Sequence, residues 1–247
     1  MLNISHRTLQ RYCKRHSLKR RPATKKQVLI QRHRVGRLRW AKARRFWTLK
    51  KWSTVIFSDE CSIAVGKNRR VYVWKVGDEG SYRPDLYGDI KKPLFKTTIL
   101  GCISWYGVGT LQCMDGTVNS ARYRDILDNN LWPVIAKHFG NKEFLFQEDG
   151  ASIHTSHLMG EYRASTNLPT IQWPAKSPDL NTIENLWSVL KYQLHRRLDE
   201  IRSKDDLTSF VREIWENVPL KYSRPLYRSL PNRLSRAIKL KGHLTKY

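Results

Sequence analysis

The sequence predicts a mixed α/β domain, a sheet with helices on its faces, preceded by a basic helical segment. Three observations carry that prediction. The 247 residues suffice for one full α/β domain with a small appendage. Hydrophobic residues make up 40% of the chain and aromatics 11%, which is enough for a core and excludes a disordered chain. The apolar pattern also changes along the chain, from helical spacing before residue 50 to β-branched and aromatic runs from residue 54.

Each element follows from local pattern. Residues 4–16 read as a helix capped by Ser5, with Leu9, Tyr12 and Cys13 on one side. Residues 17–25 form a basic connector broken at Pro22. A longer basic helix is expected over 26–48, carrying Val28, Ile30, Val35, Leu38, Trp40, Ala41 and Trp47, and tolerating Gly36. The run TVIFSDECSIAV (54–65) reads as a buried strand, and RRVYVWKV (69–76) as a second. Glycines and prolines make 77–96 a long loop. KTTILGCISWYG (96–107) is a third strand, and TLQCMDG (110–116) extends that sheet. A helix over 120–139 opens at Ser120. A fourth strand (142–149), a helix (155–166), a short fifth strand (169–174), a proline-bearing loop (175–180) and a strong helix (182–198) follow. The tail, 204–245, reads as helical with breaks at Pro219, Pro225 and Pro231. Consecutive early strands run antiparallel, and strands joined by crossover helices run parallel. This is the layout of a ribonuclease H-like domain with a mixed five-stranded sheet. The expected division is a basic helical segment at 1–50, the α/β domain at 51–203 and a helical extension at 204–247.

Charge narrows the function class. The net charge is +25, from 46 Lys and Arg against 21 Asp and Glu. Residues 1–50 hold 17 basic residues and no acid, while the remaining 197 hold 29 basic and 21 acidic. A basic arm on a milder body points to nucleic acid or an anionic surface. On this arm Arg7, Arg11, Lys14, Arg15, Lys19, Arg20, Arg21, Lys25 and Lys26 are the candidate DNA contacts. The four cysteines lack both disulfide and zinc spacing. No run of 18 apolar residues exists, so no membrane helix is expected, and no apolar stretch follows the first basic residues as in a secretory signal.

Acidic residues mark the chemistry. Asp59 ends the first strand with Glu60 beside it, Asp149 ends the fourth with Glu148 beside it, and Glu184 lies in the first turn of a helix. Strand neighbours face opposite sides, so at most one of each pair points at a given site, and alternation alone leaves the choice open. Adjacent strand ends can crowd carboxylates, which repel one another unless a cation intervenes. Hard oxygen ligands select Mg²⁺ or Mn²⁺, and two such ions support phosphoryl transfer. Glu184 also follows Asn181 by three, a weak capping-box spacing that would explain it structurally. His154 and His157, near the second pair, suit hydrogen bonding or a helix start better than metal. Trp105, Trp173 and Trp187 suit core packing better than base stacking.

The segments FSDE (57–60), RRVYVWK (69–75), FQEDGASIHTS (146–156) and WPAKSPDLNTIENLW (173–187) resemble those of Tc/mariner transposases; the last is the most specific, its Trp-Pro, Ser-Pro-Asp-Leu-Asn and Ile-Glu-Asn-Leu-Trp falling in family order. Asp149 and Glu184 are separated by 34 residues, as in one branch, and HLTKY resembles that branch's end. The resemblance implies a ribonuclease H-like fold with Asp59, Asp149 and Glu184 as catalytic and metal-binding residues, and His154 in support. It implies two Mg²⁺ or Mn²⁺ ions, cleavage by water, and attack of the 3′-hydroxyl on a TA target. It also implies double-stranded transposon-end DNA as partner, a homodimer or larger assembly, and the nucleus. Residues 4–16 look like the last helix of a second helix-turn-helix, so an N-terminal truncation is expected. Two departures stand out: Gly150-Ala151-Ser152-Ile153 replaces the family's Asn-Asp-Pro-Lys before His154, and Thr182 stands where proline is usual. The competing expectations are a catalytically silent, transposon-derived DNA-binding protein and a nuclease acting on RNA–DNA hybrids.

Overall fold

The computed structural model describes residues 5–15, 28–66 and 94–247. The strand expected over 69–76, the loop over most of 77–96, and Lys19, Arg20, Arg21, Lys25 and Lys26 lie outside the described residues. Helix α1 (His6–Arg15) is capped by Ser5, whose Oγ accepts the Thr8 amide at 3.2 Å. Helix α2 (Gln31–Arg44) is shorter than the pattern suggested: Val28 and Ile30 precede it, and Trp47 sits in the link to the one-turn helix α3 (Leu49–Trp52). Thr48 caps α3 by accepting the Lys51 amide, which restarts the helix in a new direction.

Four described strands form one sheet, in the order β3-β2-β1-β4. They are β1 (Val55–Val65), β2 (Phe95–Ser104), β3 (Gly107–Met114) and β4 (Leu145–Gln147). The first three form an antiparallel meander, and β4 runs parallel to β1. The mixed sheet is as expected, but its fifth strand is reduced to a single bridge, Phe146 to Thr170. Pro169 and Pro174 bracket that segment and cannot donate ladder hydrogen bonds, so pairing stops at one bridge. Strand β4 likewise ends at Gln147, and Glu148 and Asp149 lie in the loop beyond it.

Alternation along β1 divides the core. Val55, Phe57, Cys61, Ile63 and Val65 join one apolar cluster, and Ile56 joins the other. The second cluster is covered by α4 (Ser120–Ile126), α5 (Trp132–His138) and α6 (His157–Ser165). Helices α4 and α5 replace the single helix expected over 120–139. A π-helical turn, Leu127–Leu131, joins them just before Pro133, which has no N–H to continue the α pattern. Asn119, not Ser120, caps α4 by accepting the Arg122 amide.

The first cluster is covered by α7 (Ile183–His195), α8 (Lys204–Glu216) and α9 (Leu220–Lys239). Helix α9 runs through Pro225 and Pro231, where breaks were expected; only Pro219 stands at a boundary, as its N-cap. Both internal prolines are exposed, while Tyr227, Leu230, Arg233 and Leu234 on the other face are buried. The Tyr227 hydroxyl donates to the carbonyls of Val55 and Ile103, so tertiary contact holds the helix where local propensity would not.

Candidate active site

Position in the sheet places the first carboxylate. Asp59 lies near the middle of β1, opposite Gly101 of β2. Gly101 has no side chain, and the Trp187 ring fills the space, its Cη2 only 2.8 Å from where a Cβ would stand. Trp187 stacks on Trp215 at 4.9 Å, and Trp215 donates its indole N–H to Gly109. These aromatic rings seat α7 on the sheet beside Asp59. Glu184, in the first turn of α7, is thereby delivered to Asp59, and the two carboxyls share a hydrogen bond. Asn181 Oδ1 accepts the Ile183 amide at 3.4 Å, which is the capping half of the expected box, while the Glu184 carboxyl is turned to Asp59.

Burial and the neighbouring carboxylates dominate the electrostatics. Burial raises the Asp59 pKa to about 8, and Glu184 and then Glu60 add to the effect. Burial also raises Glu184, against the opposing influence of Asp59 and Lys191. Such a pair holds a proton between its members.

Asp149 lies across the same cleft, a space of about 590 Å³ also lined by Asp59, Glu184, Asn181 and the 173–178 loop. Its Oδ1 accepts the Ala151 amide at 2.9 Å and meets His154 Nδ1 at 2.8 Å. The His154 bond holds the Asp149 pKa below its ordinary value. The other ring nitrogen, Nε2, reaches Glu60 at 3.0 Å. His154 is only 3% exposed, and burial works against its charge. The bonds to Asp149 and Glu60 prevail and raise its pKa to about 10.

A second polar layer backs this one. The Tyr123 ring lies 4.4 Å from the His154 ring, and its hydroxyl donates to Glu148 at 3.0 Å. Arg163 donates to Glu148 at 2.5 Å and to the His154 carbonyl at 2.9 Å. Glu60 and Glu148 therefore serve the packing behind the cleft, while Asp59, Asp149 and Glu184 line it. Among the described residues no three His, Cys, Asp or Glu side chains stand ready to share one ion. Asp59 and Glu184 are paired, and Asp149 is engaged with His154.

The loop that bears the motif SPDLN is pinned from several sides. Arg37 of α2 makes two 2.8 Å bonds to Asp179, both side chains being buried. The Thr245 amide donates to the same carboxylate, and Arg233 of α9 donates to the Asp179 carbonyl. Asn181 donates to the Ser58 carbonyl, next to Asp59. Trp40 donates to Gln172 and packs edge-on against Trp173 at 4.8 Å. Trp187 is core, as expected. Trp173 and Trp105 are half-buried, and Trp105 carries Arg224 and Arg228 over its ring. The sequence reading missed Tyr123, Arg163, Asp179 and Arg37, and gave Asn181 only its capping role; of these, Asp179 and Asn181 lay within a motif it had marked. Of the α1 candidates, Arg7, Arg11 and Arg15 are exposed and do not line the cleft, and the Lys14 side chain lies outside what is described.

Comparison with known proteins bears on this arrangement. Residues 54–208 match the DDE superfamily endonuclease model. The transposable element Tcb1 transposase of Caenorhabditis briggsae is 30% identical over 247 residues, spanning 98% of this chain and 88% of that one. Among solved structures, the Mos1 transposase paired-end complex with left transposon end superposes with a TM-score of 0.78 at 18% identity. It covers 98% of this chain and 72% of that one. The Mos1 mariner paired end complex with Mn gives 0.76 at 20% identity, covering 100% and 72%. These likenesses to solved structures carry the ribonuclease H-like fold.

Proposed function

The chain belongs to the Tc1/mariner superfamily of DDE-type DNA transposases, and we propose that Asp59, Asp149 and Glu184 are its catalytic carboxylates, holding two Mg²⁺ or Mn²⁺ ions. The observation that carries this reading is the buried Asp59–Glu184 pair facing Asp149 across one cleft. Two carboxylates forced together and pushed toward neutrality are a place where a cation relieves repulsion. The donor set is all oxygen, which suits a hard divalent ion. Both known contacts of Asp149 fall on Oδ1, leaving Oδ2 for a cation.

The substrate of this reading is double-stranded DNA at a transposon end and a TA target, in a dimer or larger assembly in the nucleus. Mos1 complexes with transposon-end DNA and with Mn support DNA and divalent metal as partners. Bound divalent ions would activate the attacking oxygen and offset charge on the leaving oxygen. The protein's part is placement. His154 and the Ala151 amide fix Asp149, the Trp187 wedge fixes Glu184, and Asn181 braces β1 at the Ser58 carbonyl beside Asp59. Trp173 and Pro174 form the apolar wall against which the strand to be cut would lie.

Metal binding tests the assignment apart from cleavage. Calorimetric titration with Mn²⁺ is expected to give saturable binding to the parent and none to Asp59→Asn or Glu184→Gln. Equal binding by parent and variants would overturn the ligand assignment.

A further inference from the structure

We propose that the outer faces of α9 and α2 form one extended phosphate-binding surface that carries duplex DNA to the edge of the cleft. The proposal rests on the DNA-transposase reading and adds a surface separate from the α1 arm. Its first support is where the charge resides. The first 58 residues hold 18 Lys and Arg, the last 31 hold eight, and neither stretch contains an Asp or Glu. The 158 residues between them hold 20 basic and 21 acidic residues. The body is electrically balanced, and the whole net charge of +25 sits in the two ends.

The fold then packs those ends on each other. Arg37 of α2 donates to the carbonyls of Gly242 and His243, just beyond α9, and Arg34 bonds the His243 ring. Arg32, Arg39, Lys42 and Arg45 are exposed along α2 and its end, and Lys221, Arg224, Arg228, Arg236 and Lys239 along α9. From Lys221 to Lys239 the track is about 27 Å long at helical rise, matching about eight base pairs of duplex. Arg37 also donates to the Lys176 carbonyl, and Lys176 lines the cleft, so one end of the surface abuts the site.

A merely solvated helix would be better served by interspersed acids, since like charges at i, i+4 repel. Helix α9 has none, and Arg224 and Arg228, four apart, are both held over the Trp105 ring, at 5.5 and 5.7 Å. Fixing two guanidiniums side by side is unfavourable alone and favourable beneath a row of phosphates.

The test is fluorescence anisotropy on the full chain with a labelled duplex, in EDTA so that nothing is cut, across a range of salt. The variant Arg224→Gln/Arg228→Gln/Arg236→Gln/Lys239→Gln is expected to flatten the slope of log affinity against log salt by about two to four. A control, Lys137→Gln/Lys142→Gln/Arg196→Gln/Arg202→Gln, makes the same charge change elsewhere and is expected to keep the parent slope. Thermal melts check folding, and Lys221→Gln/Lys239→Gln carries the same test at about half the effect. An unchanged slope in the α9 variants, or equal flattening in the control, would overturn the proposal. So would loss of binding to phosphatidylserine vesicles with DNA binding intact. Asp149→Asn is expected to keep the parent slope, which separates this surface from the carboxylate assignment; a parent that binds no duplex would overturn both.

Discussion

Asp59 is held in a protonated form that its ordinary pKa would not allow at neutral pH, and this has a consequence for stability. Its folded-state value of about 8 lies above the ordinary 3.8, so between those limits the folded protein binds more protons than the unfolded chain. Stability of the metal-free protein is therefore expected to fall as pH rises from about 4 to 8 and then to level off. Asp59→Asn removes the cause. Thermal melts in EDTA are expected to show the variant more stable than the parent at pH 8, with the gap narrowing toward pH 4; a less stable variant at pH 8 would contradict the assignment. His154 acts on the same site from behind. His154→Ala frees Asp149 to rotate, and Mn²⁺ affinity is expected to drop about 10- to 100-fold by calorimetry. Unchanged affinity would make His154 a packing residue only. The choice between Asp59 and Glu60 was open to alternation alone, because which face meets Glu184 depends on Trp187 filling the gap at Gly101. That contact joins residues 86 apart and leaves no local pattern.

The elements read best where local pattern and tertiary contact agree, as in β1 and α7. They read worst where packing overrides propensity. Two prolines sit inside α9 because Tyr227 and its neighbours anchor the helix below them. The fifth strand dwindled to a bridge because prolines bracket it. The linkage of α2, the SPDLN loop and α9 through Asp179 could not be read from sequence at all, since its partners are far apart in the chain. The buried Arg37–Asp179 pair is strongly directional, and removing one member strands the other. Asp179→Asn is expected to cost about 3–5 kcal/mol in urea unfolding. A loss below about 1 kcal/mol would mean the pair is solvated in solution. Gly242 closes the same seam. It has φ +82°, and an added Cβ would run into the Arg34 carbonyl, so Gly242→Ala should also loosen α2 from α9.

At the scale of the molecule, the mixed sheet, the flanking helices and the cleft were legible because strand and helix periods alternate cleanly after residue 54. The distribution of charge was only half legible. The acid-free N-terminal stretch is visible in the sequence, but its meeting with an equally acid-free C-terminal helix is a product of folding. The molecule thus separates a neutral body, which positions three carboxylates, from a basic surface suited to holding a polyanion. The most direct test of the central claim is cleavage of duplex DNA bearing the element's own ends by purified protein. With Mg²⁺ or Mn²⁺ the parent should nick at the end, and EDTA, Asp149→Asn or Glu184→Gln should each abolish nicking while leaving DNA binding intact. Cleavage by Asp149→Asn or Glu184→Gln at the parent's rate, or binding without cleavage by the parent, would contradict it.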